Sequence, residues 1–283
     1  MKISGKDLSA RMKKDMAERV AQLKSEYGRE PHLAVILVGE DPGSKSYVAG
    51  KSKACEACGI KNTTIVKDAS ISENELLDLI MELNADSGVD GILVQLPLPK
   101  HINEKRVIET IALEKDVDGI HPLNVAALWQ KRPGIVACTP KGIMKLLHEA
   151  GVNPAGKKAV VVGRSNIVGL PVSKLLLDAD ATVTLAHSRS VNLGGITRDA
   201  DILVVAVGRP HTVTADMVKP GAVVIDVGVN RDPLTGRLCG DVDTEAVEAV
   251  AAAITPVPGG VGPMTIACLM ENTIESFINK MHR

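Results

Sequence analysis

"VVVGRSNIVGLPVSKLLL", residues 160–177, is the stretch on which the fold turns. An apolar run ends at Gly163 and a helical pattern opens at Gly169, so a strand passes into a helix through a glycine turn. Backbone N–H groups at such a helix start can approach a diphosphate. The spacing departs from G-x-G-x-x-G, because Ser165 takes the second glycine position and Gly169 comes one residue late. A tight structural turn with solvated basic residues nearby is the plain alternative. The next strand, "ATVTLAHSRS" (181–190), ends at His187, Ser188 and Arg189, where a ribose 2'-hydroxyl would call for Asp or Glu. Hydroxyl and guanidinium groups suit a 2'-phosphate and Arg164 adds another cation, so the pattern favours NADP over NAD.

Working outward, "DILVVAVG" (201–208) and "GAVVIDVG" (221–228) continue an alternation of strand and helix, and a long helix covers 262–283. Towards the N-terminus, an amphipathic helix over 5–27 precedes "HLAVILVG" (32–39), a continuous apolar run of the kind a strand buried on both faces shows. A helix over 44–58, the strand "IKNTTIVKD", the helical "SENELLDLIMELNAD" and the strand "DGILVQLPLP" complete a second α/β series, and "CTPKGIMKLLHEAG" is a helix between the two. Such alternation predicts parallel sheets covered by helices. The expected domains are 1–139 plus the terminal helix 264–283, and 140–263.

The 283 residues carry 33 basic and 34 acidic side chains, a net charge of -1, which gives no footprint for nucleic acid or an anionic membrane. No apolar run approaches the ~18 residues of a membrane span, and the opening residues lack a signal-peptide apolar stretch, so a cytoplasmic protein is expected. Five scattered cysteines include one C-x-x-C, Cys55 and Cys58, which closes a helix and lacks a second ligand pair; small buried thiols are expected, and no metal. Only Tyr27, Tyr47, Trp129 and Phe277 are aromatic. Tyr47 stands in "GSKSYVAGKSK" (43–53), four residues before Lys51 and so on the same helix face, with Ser44 a turn earlier. Y-x-x-x-K suggests the short-chain dehydrogenases, but there the glycine turn precedes the pair and here it follows by more than a hundred residues. A solvated basic face is the competing reading. Gln95 after a buried strand and Asp118 in the loop "EKDVDGIHP" could converge with Lys51 at one sheet edge.

Taken together, "VGEDPGSKSYVAGKSKACEACGI", "GILVQLPLP", "EKDVDGIHPLN", "CTPKG", "VVVGRSNIVGLP", "HSRS" and "TPVPGGVGPMT" resemble the bifunctional methylenetetrahydrofolate dehydrogenase/cyclohydrolase family over nearly the whole chain. The resemblance implies two α/β domains joined by long helices, the C-terminal one Rossmann-like and NADP-binding, with a cleft between them, in a homodimer. It implies oxidation of 5,10-methylenetetrahydrofolate by NADP and hydrolysis of the methenyl product to 10-formyltetrahydrofolate. By motif, Lys51 resembles the catalytic lysine, Tyr47 the aromatic that packs on folate, Gln95 the lysine's partner and Asp118 the pterin anchor. Ser44, Leu96, Pro97, Pro258, Gly259 and Gly260 fall on the substrate side. Gly163, Arg164, Ser165, Ser188, Ala206, Gly208, Gly228, Val229 and Thr265 fall on the cofactor side. Ala126 and Ala127 stand where the family commonly has Gly-Arg, and Ser190 where threonine is common.

The chemistry suits these residues. A carboxylate such as Asp118 can accept two adjacent N–H donors of an aminopyrimidinone, and a tyrosine face can stack on an aminobenzoyl ring. A partly desolvated lysine beside a cationic carbon has a lowered pKa and can take a proton from water; an ammonium that only orients substrate is the other possibility. The alternatives are a monofunctional dehydrogenase and a nucleotide-binding regulatory protein without turnover.

Overall fold

Every residue of the apolar run at 32–38 is buried, as a strand covered on both faces requires, and this run forms β1 (His32–Val38). The structure, a computed structural model, describes residues 1–282; Arg283, the end of the expected terminal helix, lies outside the described residues. Contacts divide the chain into two units, one of Ala10–Cys138 with Ile266–Arg283 and one of Met1–Ser9 with Thr139–Thr265.

In the first unit, β1 lies between β2 (Lys61–Lys67) and β3 (Gly91–Val94) in a parallel sheet of order β2-β1-β3, with Leu33 opposite both Asn62 and Gly91. Alternation along β1 sends Leu33, Val35 and Leu37 to a core with Val20, Leu23 and Phe277, and Ala34, Ile36 and Val38 to another with Leu76 and Ile80. Phe277 is fully buried, meets Tyr27 edge-on at 5.7 Å and lies under the Arg29 guanidinium at 4.7 Å; truncating such a side chain costs roughly 3–5 kcal/mol. The helices here are α1 (Gly5–Tyr27, its first residues in the other unit), α2 (Pro42–Cys58), α3 (Glu73–Ala85), α4 (Glu104–Thr110) and α5 (Pro122–Trp129).

Local signals set these helices. The Asp41 carboxylate accepts from the Ser44 N–H at 2.7 Å, Pro42 fits the first turn, and Gly59 (φ 71°) ends α2 in the left-handed region. Ser72 and Glu75 form a reciprocal capping box on α3. At the other end of α3, the buried Lys115 ammonium donates to the carbonyls of Leu83, Asn84 and Asp86 at 2.7–2.8 Å.

The second unit contains α6 (Cys138–Glu149, all but its first residue), β4 (Lys158–Val162), α7 (Gly169–Asp178), β5 (Thr182–Ala186), α8 (Leu193–Thr197), β6 (Ile202–Val205), β7 (Val223–Asp226), β8 (Asn230–Arg231), β9 (Leu238–Cys239), α9 (Thr244–Glu248), β10 (Ala253–Ile254) and the start of α10 (Val261–Met281). Its parallel sheet has the order β10-β7-β6-β4-β5, so the winding reverses between β4 and β6. Ligands in doubly wound sheets bind at the strand C-termini beside such a reversal. β8 and β9 pair as an antiparallel hairpin.

Residues 1–9, expected in the first domain, group with the second, because the Ile3 N–H donates to the Ile254 carbonyl and the Ile254 N–H to the Met1 carbonyl, both at 2.9 Å. The first residues thus extend β10 by a parallel bridge at Lys2, and the Lys6 N–H bonds the Gly259 carbonyl at 2.9 Å. Among the described residues, no helix is long and apolar enough to cross a membrane.

Candidate functional site

In the first unit the strand ends and one helix face gather the side chains expected to act. Lys51 lies on the inward face of α2 and is only 9% exposed, which removes the solvated-face reading for this residue. Its Nζ donates to Gln95 Oε1 at 2.8 Å. Gln95 directly follows β3; its main-chain N–H bonds the Ile36 carbonyl at 2.9 Å, and its side-chain Nε2 donates to the Leu96 carbonyl at 2.7 Å. With the amide nitrogen so engaged, the oxygen has to face the lysine.

Burial lowers the Lys51 pKa below the ordinary lysine value, and the charges of Asp118 and Cys138 partly oppose that shift. Asp118 is the counterpart. Burial raises its carboxyl pKa, the Lys51 ammonium pulls it down, neighbouring Asp116 raises it, and a hydrogen bond with the Cys138 thiol lowers it. For both groups desolvation is the largest effect, so each is displaced towards its neutral form.

The loop carrying Asp118 is held by Asp116, a residue inside the "EKDVDGIHP" stretch to which the sequence alone assigns no role. The buried Asp116 carboxylate accepts from the N–H groups of Gly119 (3.2 Å), Ile120 (3.3 Å) and His121 (2.8 Å), and from Asn124 Nδ2 (2.8 Å). Gly119 has φ 74°, and a Cβ there would come within 2.5 Å of the Ala137 nitrogen, so glycine is required. From α10, Asn272 Nδ2 donates to the carbonyls of Val117 (2.9 Å) and Val136 (3.0 Å). The other expected residues of this unit are less enclosed. Tyr47, a turn before Lys51, is 46% exposed, Ser44 is buried, Leu96 is half-buried and Pro97 exposed.

The residues expected to hold the nucleotide lie in the second unit. Gly163 ends β4 with φ 122°, and a Cβ there would lie 2.2 Å from the carbonyl oxygen of Ala206, which follows β6; the turn therefore sits at the winding reversal. Ser165 Oγ accepts from the N–H groups of Val168 (3.2 Å) and Gly169 (3.4 Å) at the start of α7, while Arg164, Ser165 and Ser188 are exposed. Gly208 has φ 65° and open space where a Cβ would stand. Asp241, also unanticipated, holds this loop. Its carboxylate accepts from the N–H groups of Val207 (2.6 Å), Gly208 (3.0 Å) and Arg209 (2.8 Å), and from Asn230 Nδ2 (2.8 Å).

Buried Asp226 supports the facing segment, accepting from the N–H groups of Gly228 (3.0 Å), Asp241 (2.9 Å) and Val242 (3.0 Å). Burial, working against these bonds, pushes its carboxyl up to about 6. Gly228 is buried, Val229 is 49% exposed, Thr265 Oγ1 lies 2.9 Å from Thr139 Oγ1, and Pro258, Gly259 and Gly260 precede α10. The one sequence hint of Asp226 and Asp241 is an acidic residue two before a glycine in "IDVG" and directly after one in "CGDVD".

A parallel sheet with a glycine turn at its winding reversal defines a protein of the dinucleotide-binding α/β class, here accompanied by a separate buried amine. The family is narrower than that. The model of the tetrahydrofolate dehydrogenase/cyclohydrolase catalytic domain matches residues 3–118, and that of the same family's NAD(P)-binding domain matches 137–281. The chain belongs to the tetrahydrofolate dehydrogenase/cyclohydrolase family. The bifunctional protein FolD of Geobacillus thermodenitrificans is 58% identical over 274 residues, covering 97% of this chain and 96% of that protein. Among solved structures, the bifunctional FolD methylenetetrahydrofolate dehydrogenase/cyclohydrolase of Campylobacter jejuni has a TM-score of 0.96 and 50% identity, covering 99% of each chain. The Trypanosoma brucei N5,N10-methylenetetrahydrofolate dehydrogenase-cyclohydrolase, solved with NADP cofactor and an inhibitor, has a TM-score of 0.96 and 40% identity, covering 100% of this chain and 99% of that one.

Proposed function

We propose that Lys51 is the group that handles water and proton in the second of two successive reactions, with Gln95 aiming it and Asp118 anchoring the pterin. The protein is a bifunctional enzyme. It oxidises 5,10-methylenetetrahydrofolate with NADP and hydrolyses the resulting methenyl compound to 10-formyltetrahydrofolate. The observation that carries the residue assignment is the buried Lys51 amine bonded at 2.8 Å to Gln95.

Hydride loss from the methylene carbon leaves a cationic carbon between two nitrogens. A lysine whose pKa is lowered by burial supplies a neutral amine, and a neighbouring cation displaces it further the same way. Water adds to the carbon as Lys51 Nζ takes one of its protons; the resulting hydroxyl then loses its proton as the C=O forms, the carbon–nitrogen bond on the ring side breaks with its electron pair going to that nitrogen, and the nitrogen takes up a proton, so that one proton is released overall. Asp118 accepts two N–H donors from the aminopyrimidinone, and the exposed face of Tyr47 stacks on the aminobenzoyl ring. Ser44, Leu96 and Pro97 complete the folate contacts of the first unit in this reading.

The residues of the second unit fit NADP. Gly163 and Gly208 adopt positive φ, Gly208 leaves open space, and exposed Arg164, Ser165 and Ser188 offer donors for phosphate. Bound there, NADP would supply the hydride acceptor. Arg164 and Ser188 would hold the 2'-phosphate, while Ser165, Ala206, Gly208, Gly228, Val229 and Thr265 would place the remainder. A homodimer working in the cytoplasm belongs to the same reading and rests on the family likeness. The test mixes the purified protein with 5,10-methylenetetrahydrofolate and NADP, and follows NADPH and, after acid quenching, total methenylfolate. Equimolar NADPH and oxidised folate, with 10-formyltetrahydrofolate accumulating before the quench, is the expected result. Oxidised folate that stays at the methenyl stage beyond its uncatalysed hydrolysis would overturn the role given to Lys51.

A further inference from the structure

We propose that His211, Asp232 and Cys239 form a three-ligand site for a zinc-like divalent cation on the second unit. The ligand atoms of these residues all lie within 4.8 Å of one another. His211 Nε2 is 3.2 Å from Asp232 Oδ2. Tetrahedral zinc with bonds of about 2.0–2.1 Å separates neighbouring nitrogen and oxygen ligands by about 3.3 Å, so this pair already spans one edge of the polyhedron. The sulfur edge would measure about 3.5 Å, which calls for a side-chain adjustment on the order of 1 Å at Cys239.

The supporting segments are independently fixed. Asp232 opens the turn between β8 and β9, and its Oδ1 accepts from the Leu234 N–H (2.9 Å), the Thr235 N–H (2.7 Å) and the Thr235 hydroxyl (3.0 Å). That leaves Oδ2 facing the histidine. Cys239 lies on the opposite strand, paired through β8 with Asn230, and the His211 N–H bonds the Gly240 carbonyl at 3.4 Å, which brings the imidazole beside the thiol. Imidazole, carboxylate and thiolate on three segments are the donor types zinc takes, and two negative charges match the ion.

A nucleophile reading fits less well. Burial and the carboxylates of Asp232, Asp226 and Asp241 raise the Cys239 pKa, the reverse of an activated thiol. The ligands are scattered in sequence and match no C-x-x-C pattern, so composition does not announce them. The other four cysteines, Cys55, Cys58, Cys138 and Cys268, are buried, leaving Cys239 as the accessible thiol for a spectroscopic probe.

The experiment titrates cobalt(II), a spectroscopic stand-in for zinc, into the chelator-treated full-length protein. One equivalent should produce a thiolate-to-cobalt charge-transfer band and the intense visible bands of a tetrahedral ion, and zinc should displace both. Cys239→Ser should abolish the charge-transfer band, and His211→Ala should weaken zinc binding in calorimetry by at least ~10-fold, since loss of even an outer-shell partner commonly costs that much. Asp232→Asn could disturb its turn, so the other two variants decide the matter, each with native circular dichroism. A weak octahedral spectrum in the unmodified protein, or a charge-transfer band that survives Cys239→Ser, would overturn the proposal.

Discussion

Replacing Asp118 by Asn keeps size and shape while changing the hydrogen-bonding pattern. A carboxylate offers two acceptors to the adjacent donors of an aminopyrimidinone; Asn offers one acceptor and turns an NH2 against the second donor. A hydrogen bond to a charged group contributes about 1.5–3 kcal/mol, so folate affinity should fall roughly 10- to 150-fold. Two further consequences follow from the surroundings of the residue. The Asp118 charge holds the Lys51 pKa up, so its removal favours the neutral amine still more, and hydrolysis at saturating folate should not suffer for want of a base. Burial disfavours the Asp118 carboxylate, so the neutral amide should not lower the melting temperature. Initial rates of both reactions across folate concentrations, with NADP affinity from fluorescence quenching, give the answer. A folate KM raised in parallel for both reactions, with NADP binding unchanged, is expected. Normal folate affinity with one activity lost would refute the reasoning.

Two other outcomes are open to direct measurement. Arg164→Ala should weaken NADP by about 1.5–3 kcal/mol, roughly 10- to 150-fold, and NAD much less, as competitive binding would show; equal losses for the two nucleotides would remove Arg164 from the 2'-phosphate. The Asp226 carboxyl should titrate near pH 6 in a carbon-13 NMR experiment. Because its folded pKa is raised above the ordinary 3.8, the contribution of this group to stability is full below about pH 4 and is lost as pH rises through about 6. A midpoint at the ordinary aspartate value would contradict the burial argument.

The parts of this molecule visible in its sequence are those with strong local signatures. Residues 33–38 and 159–162 stand out because strands buried on both faces are continuously apolar, and Gly163 because a strand-to-helix turn needs its backbone freedom. The two-residue strands β8, β9 and β10 leave no such mark, since so short a run shows no period, and β10 owes its pairing to a distant neighbour, β7. Attachment of residues 1–3 beside Ile254 is equally non-local. At the site, four-residue spacing puts Tyr47 and Lys51 on one face, but says nothing of Lys51 being buried while Tyr47 stays open. Asp116 and Asp241 act by accepting backbone N–H groups, which can belong to any residue type, so the sequence around them does not disclose that role.

The measurement that bears most directly on the role of the buried amine separates the two reactions in Lys51→Met. Methionine approximates the length of lysine and lacks the amine, and hydride transfer requires positioned substrate but no base at the reacting carbon. Loss of a general base costs ~10²–10⁴-fold, so hydrolysis of added methenyltetrahydrofolate should fall by that factor while a measurable part of the NADP-dependent oxidation survives. Tyr47→Phe, which retains the stacking face, should be milder for hydrolysis. A folded Lys51→Met protein that hydrolyses methenyltetrahydrofolate at the unmodified rate would contradict the central claim.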